Sequence, residues 1–139
     1  MSNKSVKMPN GGDEKINGAS IFVIRELGEI EKEESRTSNS CIWGSSYRVY
    51  PTETVSDLIS KFDDVKFAEL TAPGGMLLLV NAAEVTDRDE RSNLLDHENT
   101  GSVLCFGAGR LAPRVRVREK SDDLRVIWTK LGIPTDPFD

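Results

Sequence analysis

The chain has 139 residues, 37% of them hydrophobic and 29% charged, with a net charge of −5 and a pI near 5.0, the make-up of an ordinary globular domain. This acidic balance argues against general nucleic-acid binding, which draws on a basic excess, and no apolar run reaches the ~20 residues that span a bilayer. The N-terminal lysines have no apolar run behind them, so no signal peptide is expected; Cys41 and Cys105, the only cysteines, are read as reduced thiols of a cytoplasmic protein, with a nuclear address left open.

Residues 1–17 are mostly Lys, Ser, Asn, Gly and Asp, and this composition predicts a disordered tail. Ile21-Phe22-Val23-Ile24 is the first strand. Gly28 to Ser40, charged and polar apart from Ile30, reads as a long loop before a second strand that begins at Cys41 and ends at Tyr50. Pro51 ends that strand because it has no amide hydrogen to give. Thr54 and Asp57 have the spacing of a capping box, and Val55, Leu58, Ile59 and Phe62 follow one helix face. Val65 to Leu70 is left unassigned between turn signals. Met76 to Val80 reads as a two-sided strand, Thr86 to Asn93 as a solvated loop, Leu94-Leu95 as a return to the core, and Ser102 to Phe106 as another strand. Beyond these, Val115 and Val117 alternate with Arg114, Arg116 and Arg118 in a strand with one basic face. Ser121 is placed as the cap of a final helix with Leu124, Ile127, Trp128 and Leu131 on one face, stopped by Gly132 and Pro134.

This order resembles ubiquitin and its relatives. Ile21-Phe22-Val23 is similar to the opening strand of that family, Tyr50-Pro51-Thr52-Glu53-Thr54-Val55 to the exit of its second strand and start of its helix, and Leu78-Leu79-Val80-Asn81-Ala82 to its third strand and turn. Val85, Leu94 or Leu95, and Val103-Leu104-Cys105-Phe106 resemble its later elements. The resemblance implies an α+β ubiquitin-like β-grasp: a mixed four- to five-stranded sheet packed on one central helix, plus a C-terminal strand and short helix. The domain limits that follow are a tail over residues 1–17, a ubiquitin-like domain over 18–112 and an extension over 113–139. Conjugation is not expected, because the pairs Gly11-Gly12 and Gly74-Gly75 lie upstream of the last core strand and the chain continues beyond it.

The expected function is therefore a non-enzymatic, non-conjugated adaptor that contacts another protein and is monomeric alone. The alternative is a small structural or assembly subunit that docks through its C-terminal extension; a Ras-association-like use of the second strand's edge near Arg48 is a further variant. With Val103 and Cys105 facing the core, alternation turns Leu104 and Phe106 outward, and Leu79 with them. In the resembled family this face carries a hydrophobic patch, so Leu79, Leu104 and Phe106, with Ala82 at the margin, are candidate contacts; equally, the final helix could fold back over them. Arg114, Arg116 and Arg118, flanked by Arg110 and Lys120, could meet an acidic partner or an anionic membrane surface, or form the solvated face of an edge strand. No cofactor, metal or catalytic group is expected. Asp87, Asp89 and Glu98 superficially resemble a calcium loop but lack its glycine, His97 stands without metal-ligand neighbours, and Gly107-Ala108-Gly109-Arg110 lacks the rest of a phosphate loop.

Overall fold

The polar start of the chain is a β-hairpin rather than a tail. In the computed structural model, which describes residues 3–35, 37–90, 92, 97–107 and 112–139, β1 (Asn3–Lys7) pairs antiparallel with β2 (Asp13–Asn17). Val6 and Ile16 are its two buried side chains, and Gly11 supplies the left-handed turn residue at φ 86°. Polar bonds join this hairpin to the stretch from Thr52 to Lys61. The Lys7 amide donates to Glu53 Oε1 at 2.9 Å, the Thr52 amide to Lys7 O at 2.9 Å, and Lys61 Nζ to both Glu53 Oε1 and Ser5 O at 2.6 Å.

β3 (Ile21–Glu26) follows and pairs antiparallel with β4 (Ser40–Gly44), which in turn pairs with β5 (Arg48–Val49). Between β3 and β4 the charged segment expected as a loop contains α1 (Glu29–Ser35). Glu31 folds back from it to take two 2.7 Å hydrogen bonds from the Arg25 guanidinium. β5 stops after two residues because Pro51 cannot continue the ladder; the chain beyond it is instead held by Ser38 Oγ on Tyr50 O at 2.7 Å and Ser40 Oγ on Glu53 O at 2.8 Å. α2 (Val55–Lys61) then begins at a complete capping box, Thr54 Oγ1 accepting from the Asp57 amide and Asp57 from the Thr54 amide, both at 3.2 Å. Its buried Val55 and Leu58, with Phe62 at its end, form the face that packs against β3.

The remaining elements are β6 (Phe67–Thr71), β7 (Leu77–Asn81), β8 (Asp87–Asp89), β9 (Ser102–Cys105), β10 (Arg114–Val117) and α3 (Ser121–Leu131). β6 and β7 are neighbours around a tight turn in which the Ala72 amide donates to Met76 O and the Gly75 amide to Ala72 O, each at 2.8 Å. β9 is central in an antiparallel sheet of order β10-β9-β8. Gly101 leads into β9 with its Cα pressed against the Arg118 carbonyl, where an added Cβ would lie 2.1 Å from that oxygen. Leu94 and Leu95 lie outside the described residues.

Among the described residues the chain thus has ten strands in three sheets and three short α-helices, divided into two compact units, Met1–Phe67 and Ala68–Asp139. This overturns the expected β-grasp of one sheet on one central helix. Three segments whose composition is too polar to announce regular structure supply the difference: the hairpin of residues 3–17, α1, and the edge strand β8.

The Arg25–Glu31 pair gives the first unit a pH dependence. The guanidinium bonds, and then the Gly28 amide, hold the Glu31 carboxyl below its ordinary range against the opposing effect of burial. Its stabilisation is therefore complete above the unfolded glutamate value of about 4.3 and is lost as pH falls through the lower folded value. Glu31→Gln is expected to flatten the loss of stability between about pH 5 and 3 seen in denaturant titrations; superimposable acid limbs for the two proteins would contradict this.

Candidate functional site

α3 is amphipathic, with Leu124 and Trp128 fully buried and Val126 outward. Lys120, not Ser121, precedes its first turn, and no side chain caps it; Asp122 and Asp123 instead place negative charge at its positive end. Its other end is closed by a Schellman turn. Gly132 adopts φ 74°, its amide donates to Thr129 O and the Ile133 amide donates to Trp128 O, both at 3.1 Å. This reverses the chain, and residues 133–139 return alongside the helix. Asp136–Phe138 forms one 3-10 turn, and the Phe138 ring buries itself edge-to-face on Trp128 with centroids 4.8 Å apart. Arg125 fastens the same segment. Its Nη1 meets Asp122 at 2.5 Å, its Nε meets Asp139 at 3.3 Å, and its Nη2 donates to the Phe138 carbonyl.

The returning segment forms one wall of an open cleft of about 330 Å³, made of Ile133, Pro134, Asp136 and Pro137. Ala82, Ala83, Val85 and Thr86 form the other wall. This wall is a 3-10 turn (Ala82–Glu84) followed by a residue pinned to the end of β9. Thr86 donates its amide to Cys105 O at 2.9 Å, and its hydroxyl bonds Gly107 O and accepts from the Gly107 amide, each at 2.9 Å. With that hydroxyl committed, the carboxylate of Asp136 is the charged group among the described residues that line the cleft. It is exposed, and among the described residues it has no hydrogen-bond or ion-pair partner.

Of the residues proposed from sequence, Ala82 alone lines this cleft. Leu79, Leu104 and Phe106 are buried, at 0%, 0% and 4% exposure, and so are their neighbours Leu78, Val80, Val103 and Cys105. Both β7 and β9 are covered on both faces, so alternation leaves no solvent side and the expected open patch does not exist. Trp128, proposed as a possible cover for that patch, is fully buried against Phe138.

The arginine row is partly committed too. Arg114 is half-buried and 3.4 Å from Asp89, and Arg118 donates from Nε and Nη2 to Pro73 O at 3.1 and 2.9 Å, which makes it a clamp on the β6–β7 turn. Arg116 is exposed, and Arg110 lies outside the described residues. Along this strand Val117 is buried and Arg116 exposed, while Arg114 and Val115 are both half-buried. In the first unit, Arg48 lies on the short β5 at the sheet edge with its guanidinium 5.5 Å from the centroid of Trp43, which itself packs edge-on with Phe22.

The two thiols are buried and unpaired with each other. Burial is the largest influence on both and raises Cys41 and Cys105 above the ordinary thiol value, Arg25 and Arg114 opposing it respectively, so both are poor nucleophiles at neutral pH. His97 is an exposed turn residue whose Nδ1 accepts from the Asn99 amide at 3.0 Å. Among the described residues, no three of His, Cys, Asp and Glu come together as a metal-binding group, and no helix is long and apolar enough to cross a membrane.

Sequence reasoning stopped the last helix correctly but did not see that the chain beyond it builds a wall. The signal was present in Gly132-Ile133, a left-handed cap followed by an apolar residue, and in Phe138, a lone aromatic after an Asp-Pro turn.

Truncating a buried aromatic costs about 3–5 kcal/mol, so Phe138→Ala is expected to lower the stability of the second unit and to release the returning segment. Amide exchange at Ile133 and Phe138 should accelerate strongly in the variant; unchanged protection there would mean that the wall does not depend on the ring. Comparison of the chain with protein-family models, with curated proteins and with solved structures finds no match to any of them.

Proposed function

We propose that the chain is a non-enzymatic protein–protein interaction module whose partner engages the cleft between the Ala82–Thr86 segment and residues 133–137. The observation that carries this reading is the cleft itself, an open recess of mixed polar and apolar lining with one exposed carboxylate and with both walls tied down. Such a recess suits recognition, because little ordering has to accompany contact. Its volume is at the lower end of the roughly 300–1,000 Å³ typical of ligand pockets, room for one or two side chains of a partner rather than a large cofactor. Among the described residues that line the cleft, one carboxylate stands without a histidine, cysteine or second carboxylate, which gives acid–base or covalent chemistry little to work with. Binding therefore explains the arrangement better than catalysis.

A second reading is a small assembly subunit that docks through the outer face of α3, and it is supported by Val126, a large apolar side chain with 55% of its surface exposed. A photoreactive benzoylphenylalanine placed at Ala83 or at Val126 of the full chain separates the two. Adducts with a discrete protein from position 83, competed away by excess unmodified chain, are the expected result. Adducts from position 126 alone would favour the assembly reading, and none from either would reject both.

A further inference from the structure

We infer that the occupant of the cleft is an extended segment of a partner protein in which a Lys or Arg stands next to a branched apolar side chain; this rests on the cleft being a contact site. Its geometry divides into an apolar floor and a charged rim. Ala82 and Val85 are buried, and Ile133 and Pro137 are half-buried beside them, which provides a seat for one aliphatic group. Proline at 134 and 137 fixes the backbone torsion of the outer wall and removes two amide donors from it, so that wall offers apolar contact rather than a ladder edge.

The rim carries a carboxylate that no described residue neutralises. The Asp136 side chain is exposed without a hydrogen-bond or ion-pair partner among the described residues, and among those residues no lysine or arginine lines the cleft. The arginines of the adjacent elements are engaged: Arg125 by Asp122, Asp139 and the Phe138 carbonyl, and Arg88 by Ser102 Oγ at 2.7 Å, Gly101 O at 3.0 Å and Glu90 at 2.7 Å. Glu84 and Asp87 border the opposite wall in the sequence, and the chain as a whole carries a net charge of −5. Complementarity thus selects a cation, and the same field repels nucleic acid and anionic membranes.

The test is a titration of the full chain, followed by backbone amide shifts, with the capped tetrapeptide Ac-Gly-Leu-Lys-Gly-NH2 and two relatives in which Glu replaces Lys or Ala replaces Leu. The Leu-Lys peptide is expected to move the Ala83, Val85, Thr86 and Asp136 resonances and to saturate in the micromolar-to-millimolar range. Asp136→Asn and a rise in salt should each weaken it by about two- to fivefold, which is what one exposed ion pair supplies. Both relatives should bind more weakly. The inference is overturned by equal binding of the Lys and Glu peptides, by undiminished binding to Asp136→Asn, or by no shifts at about 10 mM peptide. Should position 83 form a protein adduct while these peptides do not bind, the chemistry assigned to the partner is wrong and the contact site stands.

Discussion

The edge-to-face contact of Phe138 with Trp128 holds the C-terminal segment in place, and the cleft exists because of it. An eleven-residue helix that ends in a left-handed glycine could release its last residues into solvent. Here those residues turn back because a buried indole offers an apolar seat for one ring. Arg125 adds polar attachments at the same place, but its partners are solvent-exposed side chains and a carbonyl, and exposed ion pairs contribute little each. The hydrophobic contact decides where the segment lies, and the arginine sharpens its position.

Function follows from which surfaces this packing leaves accessible. β7 and β9 are buried on both faces, so the apolar residues that invite a surface role, Leu79, Leu104 and Phe106, are spent on the core. The basic strand is spent in part on structure, with Arg118 closing a turn through Pro73. What remains is less conspicuous in composition: small residues, two prolines and one free carboxylate, drawn from segments some fifty residues apart. A cleft of that kind is made by backbone placement rather than by a run of distinctive side chains.

Much of the local structure was legible in the sequence. The Thr54–Asp57 capping box, the helix face of Val55, Leu58 and Phe62, the two-sided run at Leu78–Val80, and the Gly132 stop each reflect a strong short-range preference that packing does not override. The arrangement was not. β1 and β2 contribute only Val6 and Ile16 to the interior, α1 is almost wholly charged, and β8 reads Asp-Arg-Asp, so their order depends on tertiary bonds such as Lys7–Glu53, Arg25–Glu31 and Arg88–Ser102. Without those elements the remaining pattern fits one sheet packed on one central helix. The same omission turned buried residues outward in the expected patch, because strand alternation identifies a surface only when one face of the strand is open to water. Ala82, expected at the margin of that patch, is buried and lines the cleft wall instead.

The most direct measurement is methyl-resonance mapping on the full chain bound to whatever protein is captured from position 83. A partner seated in the cleft shifts the methyl groups of Ala83, Val85 and Ile133 and leaves those of Val126 and Val115 where they were. Shifts concentrated at Val126 or Val115, with Val85 and Ile133 unmoved, would place the contact on the outer face of α3 or on the basic strand and would contradict a binding role for the cleft.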